Sequence, residues 1–403
     1  MLSLASIQEA ADRVSTVARV TPLEYSYAFS ERTGAEVFLK LENFQRTGAF
    51  KIRGAINCIA TLSEAERDAG VVTASAGNHA QGVALAATRA GVDSTIVMPE
   101  HAPISTVKAT RRYGGRVVLH GVDYEEAQSR AHEIEREEGR TYVHAFNDEA
   151  VMAGQGTIGL EILEQQPDVE TVIVPIGGGG LIAGIATAIK SQRPDVRIVG
   201  VQAEGAASVP DSLAAGEIQS RESVDTVADG IATRSVGQRP FEIIQNRVDE
   251  VVTVSDEEIA LAVTLLLERS KTLTEGAGAV ALAALLEERF EYREGEVIVP
   301  ALCGGNIDLN VLTTVILRGL VQMGRYLKIT TVLKDRPGAL QGLIDIIADQ
   351  QANIYSIHHE RTSREIGMSD TEVEIELETH GPQHAAELLS ELRDAGYEVT
   401  VEK

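Results

Sequence analysis

The chain has 403 residues, a net charge of −24 from 60 acidic against 36 basic side chains, and 44% hydrophobic residues. That apolar content suffices for two or three cores of ordinary domain size, and the acidic balance excludes nucleic acid and anionic membranes as natural partners. Cys58 and Cys303 are the only cysteines; they stand in neither a C-x-x-C nor a metal-type spacing, so no disulfide framework is expected and a reducing compartment fits.

The N-terminal MLSLASIQEAADRV carries Glu9 and Asp12 where a secretory signal needs a basic and then purely apolar run. No apolar stretch reaches membrane-spanning length, and a cytoplasmic location is expected. A dense acidic surface keeps a protein hydrated in concentrated salt, which also screens its self-repulsion, so a salt-loving source is one reading of the charge.

The first stretch of chemical interest is TGAFKIRGA, Thr47 to Ala55, in which Lys51 sits between Phe50 and Ile52 with Arg53 beside it. A lone lysine among apolar residues is ordinarily a snorkelling surface side chain, but lysine is scarce in this chain. From about residue 35 to 320, short apolar strands ending in small-residue loops alternate with amphipathic helical patterns, which predicts a parallel-sheet α/β architecture. The strands read as 71–75, 94–99, 116–121, 171–176, 197–202 and 296–302, with helical patterns between them such as 80–90 and 181–192.

Three glycine-rich loops each follow a strand. SAGNHAQG, Ser75 to Gly82, opens a helix, where free N–H groups and the helix dipole favour an anion such as a carboxylate; Asn78 as an ordinary N-cap explains the loop equally well. Gly177 to Gly180 follow TVIVPI and precede LIAGIATAI. Four consecutive glycines cost conformational entropy with no packing return, so a ligand approaching the backbone is expected, with phosphate the natural guest. The spacing matches neither a dinucleotide nor a nucleoside-triphosphate fingerprint. CGGN, Cys303 to Asn306, reads either as a tight turn with a small buried cysteine or as a third wall of a site. All three loops should meet at the carboxyl ends of the parallel strands.

Beyond Gly324 the pattern changes to strand (327–333), loop, helix (339–351), strand (353–360), strand (371–379), helix (382–392) and strand (397–402). Val373, Ile375 and Leu377 alternate with Glu374, Glu376 and Glu378, which predicts a sheet with one wet face. The order βαββαβ is the ferredoxin-like arrangement.

TGAFKIRGA, SAGNHAQG, the glycine tetrad and CGGN, in this order and at these distances, resemble the fold type II pyridoxal-phosphate enzymes, specifically the threonine ammonia-lyase (threonine dehydratase) family, over essentially all of residues 5–320. The segment KDRPGAL and the pattern after it resemble the ACT regulatory domain. The resemblance implies an α/β fold of the tryptophan synthase β type: a two-lobed parallel-sheet catalytic unit over 1–325, its smaller lobe (about 44–145) inserted in the larger, and a ferredoxin-like ACT domain over 326–403. It also implies that Lys51, flanked by Phe50, carries pyridoxal 5'-phosphate, with Ala49 standing where the family usually has serine.

By the same resemblance, Gly177, Gly178, Gly179, Gly180 and Leu181 hold the phosphate and Asn78 binds the ring's 3'-oxygen. Ser75, Ala76, Gly77 and His79 frame the substrate carboxylate, Cys303 faces the pyridine nitrogen, and Gly230 (in VADGIA) and Glu275 (in TEGAGA) border the pocket. A thiol is a weak partner for that nitrogen, which suits β-elimination over transamination. Desolvation beside Phe50 and the cation of Arg53 are expected to lower the pKa of Lys51. The implied reaction converts L-threonine to 2-oxobutanoate and ammonia, with L-serine giving pyruvate as a side activity.

Two alternatives compete. Serine racemase shares these loops but needs a second serine where this chain has Ala76, and a methyl group moves no proton. The racemase's metal ligands also match poorly, because Glu204 is present but Pro210 stands at the later position, so no metal site is expected. The other alternative is a non-catalytic amino-acid sensor built around the ACT domain. In either regulated form, Asp335, Arg336, Pro337 and Gly338 would bind isoleucine or valine against Asn353 and Ile354 of a second copy, in a homodimer or homotetramer.

Overall fold

This computed structural model describes residues 2–361, 367 and 369–402. The chain divides into two compact units, 1–312 and 313–403. The division falls thirteen residues before the boundary at 325 that the resemblance implies, because it cuts into the helix Leu309–Gln322 and leaves most of it with the second unit.

In the first unit the strands are β1 (Leu23–Tyr25), β2 (Glu36–Lys40), β3 (Val71–Ala74), β4 (Ser94–Met98), β5 (Arg116–Leu119), β6 (Thr141–Tyr142), β7 (Thr171–Pro175), β8 (Arg197–Ala203), β9 (Glu250–Val254) and β10 (Val297–Pro300). They form a smaller parallel sheet, β5-β4-β3-β6, and a larger one, β1-β2-β10-β7-β8-β9, parallel except for the edge strand β1. Every residue of β3, β4 and β7 is buried. That explains why they read as continuous apolar runs instead of alternating ones, as expected of sheets covered on both faces.

The helix Glu149–Gln165 sets where the chemistry lies. On one side it meets the helix Lys51–Ala60, and the contact is close enough that a β-carbon at Gly54 would lie 2.5 Å from Gln155 Nε2, and one at Gly154 2.5 Å from the Arg53 carbonyl. On the other side Gly156 faces the Gly184 carbonyl of the helix Gly180–Lys190, at 2.9 Å from where its β-carbon would be. Glycine is required here for backbone approach. One helix thereby holds the start of the lysine helix and the start of the tetrad helix in a fixed relation.

The second unit contains β11 (Tyr326–Lys334), the helix Ala339–Asp349, β12 (Asn353–Glu360), β13 (Asp370–Glu378), the helix Pro382–Asp394 and β14 (Val399–Glu402). Its sheet is antiparallel in the order β12-β13-β11-β14, the ferredoxin-like βαββαβ topology. Val373, Ile375 and Leu377 are buried against Leu343, Ile347, Leu388 and Leu392 of the two helices, with the alternating glutamates on the other face.

Candidate active site

Lys51 opens its helix, directly after a loop stitched to the CGGN turn. Phe50 N–H donates to the Cys303 carbonyl at 3.1 Å, Gly305 N–H to the Gly48 carbonyl at 2.8 Å, and Ala49 pairs with Gly304 as an isolated antiparallel bridge. This short ladder sets the lysine over the third glycine loop. The Lys51 Nζ lies 5.1 Å from the centroid of the Phe50 ring and donates to the Ala145 carbonyl at 3.1 Å. Burial lowers its pKa to about 8, against the opposing pull of the Glu275 carboxylate.

Arg53 has no part in that shift. Its guanidinium turns into the core, where it binds Glu42 through Nε and Nη2 at 2.9 and 2.7 Å and Glu161 through Nη1 and Nη2 at 2.6 and 2.9 Å. Lys40 Nζ completes the cluster at 2.6 Å from Glu161. Arg53, Glu42 and Lys40 are 1%, 0% and 0% exposed. The expected field of a neighbouring cation at Lys51 is therefore cancelled by two buried carboxylates.

The loop after β3 brings Asn78 to the same place. Gly77 is the N-cap of the helix Asn78–Ala90, and no side chain caps it. Asn78 is thus free of the capping role and donates through Nδ2 to Glu275 Oε1 at 2.7 Å, while its Oδ1 accepts from Asn306 Nδ2 at 2.8 Å. Burial raises Glu275 to about 7, against the hydrogen bond from Asn78. Gly230 borders this carboxylate, since a β-carbon there would stand 3.2 Å from Glu275 Oε1. Cys303 is buried, donates its S–H to the Ala277 carbonyl at 3.2 Å, and is held protonated because burial pushes its pKa far up.

Ser75 and Ala76 are half-buried and Gly77 exposed at the head of this loop. His79 differs from the expectation: its side chain is buried with Nε2 3.0 Å from the Val143 carbonyl, so only its backbone lies at the helix start. Burial lowers its pKa to about 3, and the ring is neutral.

The glycine tetrad also corrects one premise. Its glycines do have a packing role, because a β-carbon at Gly178 would stand only 2.3 Å from atoms of the Phe146 ring, one at Gly180 would stand 2.9 Å from the Phe146 backbone, and one at Gly177 2.9 Å from Ile231. The backbone is nevertheless left open for an anion. The N–H groups of Gly177 to Leu181 have no acceptor among the described residues, and they stand at the start of the helix Gly180–Lys190. Phe146 and His144, in the segment HAFND, are site neighbours that sequence reasoning missed. Burial holds His144 down at about 4, and its Nδ1 accepts from the N–H groups of Phe146 and Asn147 at 3.1 and 2.9 Å.

Asp335 and Gly338 lie in the second unit, around a pocket lined by Lys334, Asp335, Arg336, Pro337, His359 and Arg361. Asp335 is paired with Arg361 at 3.2 Å, and Gly338 starts its helix with φ +86°. Asn353 and Ile354 sit at the far end of the same sheet, since Asn353 is in register with Glu378 and Tyr326, whereas Lys334 is in register with Asp370.

The site residues fit pyridoxal phosphate: an anion cradle of free N–H groups, a desolvated lysine, a neutral thiol and an oriented amide all belong to one cluster of loops. The family described as "Pyridoxal-phosphate dependent enzyme" matches residues 14–304. The chain is 51% identical over 403 residues to an L-threonine ammonia-lyase of Geobacter sulfurreducens and 48% identical over 401 residues to one of Thermotoga maritima, each covering 100% of both chains. Among solved structures, the processed threonine deaminase isoform 2 of Solanum lycopersicum superposes with a TM-score of 0.75 at 42% identity, covering 77% of this chain and 86% of that one. Loop geometry, family match and full-length relatives agree, and the chain belongs to the pyridoxal-phosphate-dependent enzymes of fold type II.

Proposed function

We propose that this protein is an L-threonine ammonia-lyase that converts L-threonine to 2-oxobutanoate and ammonia by β-elimination, with L-serine giving pyruvate as a side activity. The observation that carries the reading is Lys51, a desolvated amine with a pKa of about 8 at the meeting of the glycine-rich loops. Bound pyridoxal phosphate supplies an electron sink that makes the substrate Cα–H acidic. At pH 7 an amine of this pKa is neutral in about one molecule in ten, against about one in a few thousand for an ordinary lysine. Lys51 therefore has the free electron pair needed to hold the cofactor and, once released, to take the Cα proton. The proton that Lys51 takes from Cα balances the one the β-hydroxyl needs to leave as water, and the enamine product, once free in solution, tautomerises and is hydrolysed by one water to the 2-oxo acid and ammonia.

The other residues fit elimination better than racemisation. Ala76 has no proton to give to the opposite face of Cα, and the buried neutral His79 is turned to Val143. The thiol of Cys303, kept protonated by burial, supports the site without adding charge. Gly177 to Leu181 offer the phosphate their N–H groups, and Ser75, Ala76 and Gly77 are the loop against which the substrate carboxylate would rest.

We also infer that residues 326–403 form an ACT-type regulatory domain that takes isoleucine or valine at Asp335 and Gly338. Asn353 and Ile354 stand at the opposite end of the sheet within one chain, so a site using all four residues needs a second copy, as in a homodimer or homotetramer. An ammonia-release assay over L- and D-threonine and L- and D-serine tests the main reading. Turnover of L-threonine that disappears in Lys51→Ala supports it, whereas cofactor binding without ammonia release would favour an amino-acid sensor. A rate that does not respond to either isoleucine or valine removes the regulatory reading.

A further inference from the structure

Asn306 closes the CGGN turn and is exposed, yet it ties three separate loops together. Its Nδ2 donates to the Thr47 carbonyl at 2.6 Å, in the lysine loop, and to Asn78 Oδ1 at 2.8 Å, in the loop after β3. Gly48, with φ +74°, makes room for it: a β-carbon there would collide with the Asn306 amide. The Gly48 carbonyl meanwhile accepts from Gly305 N–H at 2.8 Å, so backbone and side chain both join these turns.

The chemistry of the partners determines how both amides face. Thr47 offers a carbonyl oxygen, which only accepts, so the NH2 of Asn306 must face it and its second hydrogen is left for Asn78. Glu275, when ionised, also only accepts, so the NH2 of Asn78 must face Glu275 and its oxygen must face Asn306. One N–H of Asn78 then has no partner among the described residues.

We propose that Asn306 is a positioning residue: it locks the side-chain amide of Asn78 in the orientation that leaves this single N–H for the cofactor's 3'-oxygen. The inference rests on the reading that Asn78 serves that oxygen. Asn306 itself touches neither substrate nor cofactor in this role, and it acts through Asn78.

The test compares Asn306→Ala with Asn306→Asp in the full-length protein, measuring the dissociation constant of pyridoxal phosphate and the visible absorption of the bound cofactor. Alanine removes the lock but leaves Asn78 tied to Glu275. Aspartate keeps the shape yet presents only acceptors, which turns the Asn78 amide round so that its NH2 faces residue 306. The expected order of affinity is wild type, then Asn306→Ala, then Asn306→Asp. Each step is about 3- to 10-fold, the scale of one hydrogen bond, and the absorption band should shift most in the aspartate variant.

A purely structural role gives the reverse order, because the isosteric aspartate disturbs packing less than alanine does. Repeating the pair in an Asn78→Ala background separates orientation from added charge: the difference between the two substitutions should vanish there. A difference of the same size in that background, or equal affinities of Ala and Asp in the wild-type background, overturns the proposal. Asn78→Ala alone with unchanged affinity would instead overturn the reading of Asn78, and the proposal with it.

Discussion

Replacing Arg53 with Met is the sharpest test of what holds the lysine helix in place. Arg53 is 1% exposed and Glu42 0%, and both oxygens of Glu42 take their hydrogen bonds from Arg53 at 2.9 and 2.7 Å, with Thr21 Oγ1 adding one at 2.5 Å. In the folded protein burial works to raise the pKa of Glu42, and the Arg53 cation overrides it, so the net direction is down. Met fills most of the volume but leaves Glu42 without its hydrogen-bonded cation, with only the weaker pull of Lys40, and Glu161 with only Lys40. Breaking such a cluster from one side costs about 3 to 5 kcal/mol, a large part of the whole stability of a domain.

The pH dependence identifies the cause. In the wild type a depressed Glu42 contributes stability that is present above the ordinary carboxylate pKa and is lost as pH falls through the folded value. Without Arg53, burial is unopposed by that cation and the folded pKa moves above the ordinary one, so the ionised form now opposes folding and protonation relieves it. The stability deficit, measured by denaturant unfolding of the cofactor-free protein, should therefore be largest at neutral pH and shrink towards pH 4. A deficit below about 1 kcal/mol, the range of exposed ion pairs, or one that does not change between pH 7 and pH 4, would refute the reasoning.

Two further outcomes follow from the site. With its pKa lowered to about 8, Lys51 should capture pyridoxal phosphate in the cofactor-free protein at a rate that rises about tenfold per pH unit below pH 8 and levels off above it. A rate that keeps climbing towards pH 10, measured by stopped-flow absorbance, would mean an ordinary lysine. In Gly178→Ala the new methyl overlaps the Phe146 ring, and displacing that ring should cost about 1 to 3 kcal/mol of stability and weaken the cofactor's hold. Phe146→Ala in the same chain should recover part of the stability, and no recovery would show that the clash is not the cause.

Much of the fold was legible because its strands are either fully buried or half-buried. β3, β4, β7 and β8 read as apolar runs, and β13 reads as strict alternation, since Val373, Ile375 and Leu377 face the core. β2 was not legible for a physical reason: Glu36 and Lys40 flank Val37 and Leu39, and nothing local indicates that Lys40 is buried by pairing with Glu161, far along the chain. β6 has two residues and no periodicity to detect. The helix Gly276–Leu286 has almost all its residues buried and so presents no polar stripe. In the site, the glycine loops announced themselves by composition, but Phe146 and His144 did not. HAFND contains no glycine and follows a strand too short to predict, and its importance arises only when the helix Glu149–Gln165 carries it over the tetrad.

The contrast between Lys51 and Arg53 shows how a cation can be kept near a base without disabling it. The two stand two residues apart on one helix, and an uncompensated guanidinium there would act on the amine across a poorly solvated interior. Arg53 and Lys40 are matched by Glu42 and Glu161, two charges of each sign, so the cluster presents little net field beyond its own hydrogen bonds. The lowering of Lys51 then comes from burial, with the Glu275 carboxylate pulling against it. Burial depends on how tightly Phe50 and the CGGN turn close over the amine, whereas a neighbouring cation would act whether or not the loops were shut. The nucleophile is thus strongest only when the loops that bind the cofactor are in place, and the ladder from Gly48 and Phe50 to Cys303 and Gly305 makes those the same event.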